Sequence, residues 1–280
     1  MGLFRARPED AGFEDSGPAR GHLLVFPGTA VRITHAGRAP VVATASRVMF
    51  YNRGAEYRRT AIDPLGDRCT WLSFDPVDLT AALSTYEPAA ADRFERPFAW
   101  TNAPVRAATV LRQRLLVRSA MSGEDASAAE EETLALLGDV LVDAFAAFDR
   151  GRVVAAALSV KARRARADLA AAAEASLAAR FDQPFSLRQL AADLEASPFH
   201  LCRVFHCATG RTLHGYLTEL RLHRALERVL DGETNLAALA VDLGFATHSH
   251  FTRTFRSRFG VAPSQVRKRP VASSTLRRSG

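Results

Sequence analysis

The chain has 280 residues, 48% hydrophobic and 24% charged, which is the composition of a globular protein long enough for two domains. No apolar run approaches the roughly 20 residues of a membrane helix, and the opening M-G-L-F-R-A-R-P-E-D lacks an apolar signal core, so membrane partners are excluded and the cytoplasm is expected. Three cysteines, Cys69, Cys202 and Cys207, are too few for a disulfide framework and lack zinc-site spacing. The net charge of +7 is regional: residues 183–280 hold 14 Arg and Lys against 7 Asp and Glu, and the first 182 hold 23 of each. A basic half beside a neutral one points to a polyanion as the partner of the basic half.

In chain order, residues 1–20 are polar, mix both charge signs with Gly and Pro, and predict a flexible arm. Residues 21–76 carry short apolar runs (H-L-L-V-F, V-R-I-T, P-V-V-A-T, R-V-M-F-Y-N, E-Y-R-R-T, C-T-W-L-S-F) separated by breaker-rich turns. This spacing predicts an antiparallel sandwich or small barrel. The stretch from Asp78 to Arg93 reads as helix and Pro97 to Thr101 as a last strand. Phe50, Tyr51, Tyr57, Arg59 and Trp71 are candidates for lining a pocket, although aromatic residues in a small β domain usually form its core.

From 105 the period becomes helical. Val105, Leu111, Leu115 and Leu116 share a face, Met121 to Ala128 reads as a loop, and Glu130 to Glu132 should fall in the first turn of the next helix. Leu134, Leu137, Leu141, Phe145 and Phe148 then form a stripe, suited to core or to a dimer interface. The cluster K-A-R-R-A-R at Lys161 to Arg166 reads as a solvated linker before a helix from Asp168 to Phe181. The domains expected are therefore an arm (1–20), a β-rich sensory part (21–104), a helical dimerisation and linker region (105–164), a DNA-binding part (165–269) and a disordered tail (270–280).

Between Ser186 and Gly260 one pattern occurs twice. Ser186/Asn235, Leu190/Leu239, Ala191/Ala240 and Asp193/Asp242 match at one offset; His200/His250, Arg203/Arg253, Phe205/Phe255 and Gly210/Gly260 match at an offset one residue longer. Two helix-turn-helix motifs are the simplest cause. Ser186 with Gln189 has capping-box spacing, Ser197 caps a second helix with Pro198 at its first position, and Asn235 and Thr247 do the same in the second copy. Gly244 supplies a turn that a Cβ would strain.

With Leu201, Val204 and Phe205 inward, Phe199, His200, Cys202, Arg203 and His206 are left on the outside. In the second copy Phe251, Phe259 and either Thr254 or Phe255 turn inward, leaving His248, Ser249, His250, Thr252, Arg253 and Arg256 outside. Arg, Ser, Thr and His suit base edges and phosphates in a major groove. A helix from Leu213 to Leu230 would hold the motifs apart, allowing entry to two successive major grooves about 34 Å apart. His200, Cys202, His206 and Cys207 spread around a helix axis, so neither a metal nor another cofactor is expected.

The segment from Ser186 to Arg267, above all L-G-F-A-T-H-S-H-F-T-R-T-F-R-S-R-F-G-V-A-P-S-Q-V-R with S-P-F-H-L-C-R-V-F-H and Y-L-T-E-L-R-L-H-R-A, resembles the DNA-binding domain of AraC/XylS-type transcription regulators. The resemblance covers about a third of the chain and implies that Phe199, Cys202, Arg203, His248, Ser249, Thr252 and Arg253 face the groove. Cys202 departs from the longer polar residue frequent there. The resemblance implies an α+β chain: an N-terminal cupin-like antiparallel β barrel, then helices, then an all-α domain with two helix-turn-helix motifs. It also implies double-stranded DNA and RNA polymerase as partners, a homodimer, and a small-molecule effector, to which no residue is assigned; activator and repressor both stay open. His22 and His35 lack the spacing of a metal-binding cupin enzyme. Two other readings stand beside this one: a regulator without a ligand, and a DNA-repair alkyltransferase using Cys69.

Overall fold

The computed structural model describes residues 1–15, 17–121, 126–154 and 160–268. Six strands arise where apolar runs alternate between turns: β2 (Leu23–Pro27), β3 (Val31–His35), β4 (Val41–Ala43), β5 (Arg47–Tyr51), β6 (Tyr57–Ala61) and β7 (Asp67–Ser73). Two more complete the set, β1 (Gly2–Ala6) and β8 (Asn102–Pro104). All pairings are antiparallel, in a five-stranded sheet of order β1-β7-β2-β5-β8 and a three-stranded sheet of order β4-β3-β6. Among the described residues no ladder joins the sheets, so the expected barrel is open, a two-sheet sandwich.

The strand alternation explains the layers. Val31 and Ile33 of the small sheet meet Met49 and Tyr51 of the large one, filling the space between sheets. The opposite face of the large sheet offers Leu24, Phe26, Phe50 and Leu72 to helices α1 (Pro76–Ser84), α2 (Ala107–Met121) and α3 (Ala126–Val154). That second cluster continues without a break into the C-terminal half, through Leu222, Leu226, Phe251, Phe255 and Phe259.

Several sequence expectations need correction. The N-terminal residues are not a free arm in the structure: Gly2–Ala6 pairs along β7, and Phe13 is buried. Arg59 gathers this segment. Its guanidinium lies 4.6 Å from the Phe4 ring, donates to the Phe13 carbonyl at 2.8 Å and pairs with buried Asp67 at 3.0 Å. Polar composition concealed this because the partners of Phe4 and Phe13, β7 and Arg59, lie far along the sequence.

The last strand is Asn102–Pro104 rather than Pro97 to Thr101, because Asn52 pins Phe98 through both its amide atoms and holds that stretch off the ladder. The expected helix from Asp78 to Arg93 stops at Ser84 and resumes as a 3-10 turn at Pro88–Arg93, since Pro88 cannot continue it. Helix α3 already begins at Ala126, so Glu130 to Glu132 lie beyond its first turn, while residues 122–125 are outside the described residues. Its buried line is Leu136, Leu137, Val140, Leu141 and Ala144, and Leu134 is exposed. The Lys161 to Arg166 cluster is no linker: it opens helix α4 (Val160–Ala179), so the 164/165 boundary falls inside one helix. The tail at 270–280 lies outside the described residues.

Helices α5 (Leu187–Asp193), α6 (Pro198–Thr209), α7 (Leu213–Leu230), α8 (Leu236–Asp242), α9 (His248–Phe259) and α10 (Pro263–Lys268) follow. They form two helix-turn-helix units, α5–α6 and α8–α9, joined by α7. The first packs on α4 around Leu177, Leu190, Leu201, Phe205 and Tyr216, and the second joins the large core.

Candidate nucleic-acid interface

Each of the four helices in the repeats starts on a side-chain cap. Ser186 accepts from the Gln189 amide at 3.3 Å, Ser197 from His200 at 3.2 Å, Asn235 from Ala238 at 3.0 Å and Thr247 from His250 at 3.1 Å. These bonds satisfy amides that have no intrahelical partner. Both second helices end on a left-handed glycine, Gly210 at φ 70° and Gly260 at φ 75°. The two recognition helices therefore begin and end at matched places, and their side chains register pairwise.

The turn inside each unit uses the same left-handed position with different residues. In the first copy it is Glu195 at φ 52°, and in the second Gly244 at φ 72°. Gly244 is required twice over, because a Cβ there would come within 2.7 Å of the Arg221 guanidinium. Arg221 donates to the carbonyls of Phe181 at 2.7 Å, Gln183 at 2.9 Å and Gly244 at 2.9 Å. From α7 it clamps the entrance of the first unit to the turn of the second. Burial draws this guanidinium below its usual range, and the three carbonyls satisfy its donors.

The matched aspartates are also explained. Asp193 takes Arg180 at 3.0 Å and Gln189 at 2.8 Å, and Asp242 takes Arg228 at 3.0 Å. Each aspartate ties the first helix of its unit to the segment preceding that unit. The arginines of α7 are thus internal connectors: Arg224 reaches Asp63 at 2.8 Å and Arg228 also reaches Glu233 at 2.8 Å. Near the end of α9, Arg258 contacts Glu219, which also pairs with Arg211 at 2.8 Å. Beside them His223 is buried edge-on to Phe259, its pKa lowered by burial to about 3, so the ring is neutral.

What remains on the outside is a smaller and more selective set. On α6, Leu201, Val204 and Phe205 are buried, while Phe199, Cys202, Arg203 and His206 are exposed and His200 is half-buried. On α9, Phe251, Phe255 and Phe259 are buried, so Phe255 and not Thr254 takes the inward position. His248, Ser249, His250, Arg253 and Arg256 are exposed, with Thr252 half-buried and 3.3 Å from His248. A shallow open concavity runs along this face from His248 past Thr252, Arg253 and Arg256 to Gly260.

Superposing the copies by sequence pairs Phe199 with Ser249, Cys202 with Thr252, Arg203 with Arg253 and His206 with Arg256. The next pair, Cys207 and Ser257, is exposed in both copies and was missed by the sequence reading. Continuing the constant offset past Arg256 would have found it. None of the ion pairs among the described residues engages Arg203, Arg253 or Arg256, so three guanidinium groups are free to meet an anion.

The C-terminal geometry agrees with comparisons to known proteins. Residues 190–269 match a family described as a helix-turn-helix domain. The regulatory protein SoxS of Escherichia coli K12 is 33% identical over 88 residues, 31% of this chain and 82% of SoxS. The virulence regulon transcriptional activator VirF of Yersinia enterocolitica is 31% identical over 71 residues, 25% of this chain and 26% of VirF. A solved transcriptional regulator with an AraC-type DNA-binding domain from Chromobacterium violaceum shares 25% identity, with a TM-score of 0.35, over 37% of this chain and 93% of that one. From a repeat whose caps, turns and buried faces are matched, and from the SoxS relationship, the chain belongs to the AraC-type family of DNA-binding transcription regulators.

Proposed function

We propose that this regulator reads duplex DNA with α6 and α9 in two successive major grooves. Phe199, His200, Cys202, Arg203 and His206 serve the first groove; His248, Ser249, His250, Thr252, Arg253 and Arg256 serve the second. The observation that carries this reading is the pair Arg203 and Arg253. They occupy equivalent exposed positions on equally capped helices and are free of ion pairs among the described residues, whereas Arg224 and Arg228 of α7 are already paired with carboxylates of the chain. A free guanidinium in that position suits the O6 and N7 edge of guanine.

The test is a binding measurement on the full chain with a selected operator. Arg253→Ala should cost about 1 to 3 kcal/mol and relax base preference at one position. Unchanged affinity and preference would overturn the assignment. Binding should also weaken steeply with added salt, because phosphate contacts release counterions.

The N-terminal sandwich serves in this reading as an opened cupin-like sensory part, with a small-molecule effector adjusting operator affinity. Its support is the tie between halves through Arg47, which bonds Asn102 at 2.8 Å and Glu174 of α4 at 3.3 Å. Dimerisation through the outer face of α3 follows from exposed Leu134 and Val142, eight residues apart and so on one side of the helix. RNA polymerase is the natural protein partner of such a regulator, and the cytoplasm its place. The alkyltransferase alternative is disfavoured, because Cys69 lies within β7 between Phe4 and Pro27 and burial pushes its thiol up, away from the reactive thiolate.

A further inference from the structure

We propose that a cleft where the two halves meet binds a small phosphoryl anion, placed to hold the ends of both recognition helices. The inference rests on α6 and α9 being the DNA-reading helices, as above, and adds a ligand to them. The cleft measures about 260 Å³, just below the roughly 300 to 1,000 Å³ of pockets for drug-sized ligands, and so suits a small anion. Three arginines reach it from three different elements. Arg106 stands just before α2, Arg211 follows Gly210 at the end of α6, and Arg258 lies in the last turn of α9. Asp143 of α3 is the one carboxylate among the described lining residues, and the rest of the lining is aliphatic, without an aromatic ring.

The carboxylates at hand are already taken up. Asp143 accepts from Arg106 Nε, from the Arg106 amide at 2.9 Å and from the Thr109 hydroxyl at 2.8 Å. Buried Glu219, behind the cleft, is shared between two arginines: its Oε2 pairs with Arg211 at 2.8 Å and its Oε1 contacts Arg258. Three guanidinium groups thus face two carboxylates, and the next cation, Arg47, is held by Glu174 at 3.3 Å. The Arg106 side chain is 63% exposed, and its two terminal nitrogens make no hydrogen bond among the described residues. Burial first, and then the like charge of Arg47, draws Arg211 below its usual range; burial and Arg211 do the same to Arg258. An anion seated among the three offsets that repulsion.

The arrangement of donors selects the class of anion. A tetrahedral phosphoryl group offers oxygens in three directions, matching guanidinium groups that arrive from three elements, whereas a planar carboxylate offers two oxygens in one plane. The aliphatic remainder gives an aromatic ring nothing to stack on. Bound there, the anion ties Arg211 and Arg258 to Arg106 of the N-terminal half. That fixes where α6 and α9 end relative to each other, and with it the separation of the two grooves they enter.

The experiment is calorimetric titration of the full chain with pyrophosphate as probe and acetate as the carboxylate control, at constant ionic strength. The expected result is saturable binding of pyrophosphate with Kd below about 1 mM, and acetate weaker by about tenfold or more. Arg106→Gln, at an exposed position and checked for unchanged thermal unfolding without the anion, should weaken pyrophosphate about tenfold. Should that variant unfold early, Arg106→Lys keeps the charge, loses the paired N–H groups and should weaken it about threefold. The free groove-facing arginines also attract anions, so the titration is repeated on Arg253→Ala. A Kd that moves with Arg253→Ala and not with the Arg106 variants overturns the site. So does a wild-type chain that binds operator duplex yet gives no saturable heat with pyrophosphate, or equal affinity for acetate; each leaves the DNA-binding reading standing. A chain that takes pyrophosphate through Arg106 but binds no duplex overturns the regulator reading instead.

Discussion

At Glu195 the first repeat places a side chain where the second uses glycine. A non-glycine residue at φ 52° carries a steric cost of about 1 to 2 kcal/mol, and no hydrogen bond from the Glu195 side chain offsets it among the described residues. Glu195→Gly should therefore stabilise the protein by about 0.5 to 1 kcal/mol after the extra entropy of an unfolded glycine, read as a rise in Tm. A fall in Tm would show that the turn is held by something else. The reverse change at the matched position, Gly244→Ala, should be destabilising by about 2 kcal/mol or more, because it combines positive φ with displacement of Arg221.

His35 makes a prediction with a definite sign. Its folded pKa, lowered by burial to about 4, lies below the ordinary 6.5, so between those values the unfolded chain binds more protons. Its contribution to stability is complete above pH 6.5 and is lost as pH falls toward 4, at most about 3 kcal/mol. Denaturant titrations across that window should show wild type losing stability relative to His35→Gln as pH falls. Parallel curves would mean that the ring is protonated in the native state.

At the scale of elements, the repeat shows what local sequence encodes well. Caps at Ser186, Ser197, Asn235 and Thr247, glycine ends at Gly210 and Gly260, and inward Leu201, Phe205, Phe251 and Phe259 all follow from spacing, since each depends on neighbours within one turn, whereas packing chose Phe255 over Thr254. The two recognition helices are alike in frame and unlike in face. The first offers Phe199, 79% exposed, and Cys202; the second offers Ser249 and Thr252 at the same positions. Base-by-base substitution of the operator should therefore show stronger polar discrimination in the α9 half-site, with apolar contact such as thymine methyl favoured under α6. Equal polar discrimination in both halves would contradict this. Helix α7 shows the opposite: its arginines are held by Asp63, Asp242, Glu227 and three carbonyls, most of them outside the helix and brought to it by packing.

Across the whole molecule, one apolar core runs from Leu24 and Leu72 through Val110 and Leu141 to Phe251 and Val266. Ion pairs Arg224–Asp63, Arg114–Glu227 and Arg47–Glu174 cross the same boundary at 2.8, 2.9 and 3.3 Å. Halves joined by a continuous core unfold together, so calorimetry should record one transition, and Asp63→Ala should lower its midpoint without splitting it. Two resolved transitions would mean that the halves are energetically independent.

The amino-acid sequence by itself determined the six strands β2 to β7, the two helix-turn-helix units, their caps and most of their outward residues, because period and turn chemistry act over a few residues. Only the tertiary structure decided that the N-terminal residues pair along β7, that the sandwich stays open, and that His35 meets Phe98 and Trp100 around one cavity. These depend on groups such as Arg59 with Phe4, or Arg224 with Asp63, that lie tens of residues or more apart in sequence. Their meeting is set by how layers pack, and no local period records it.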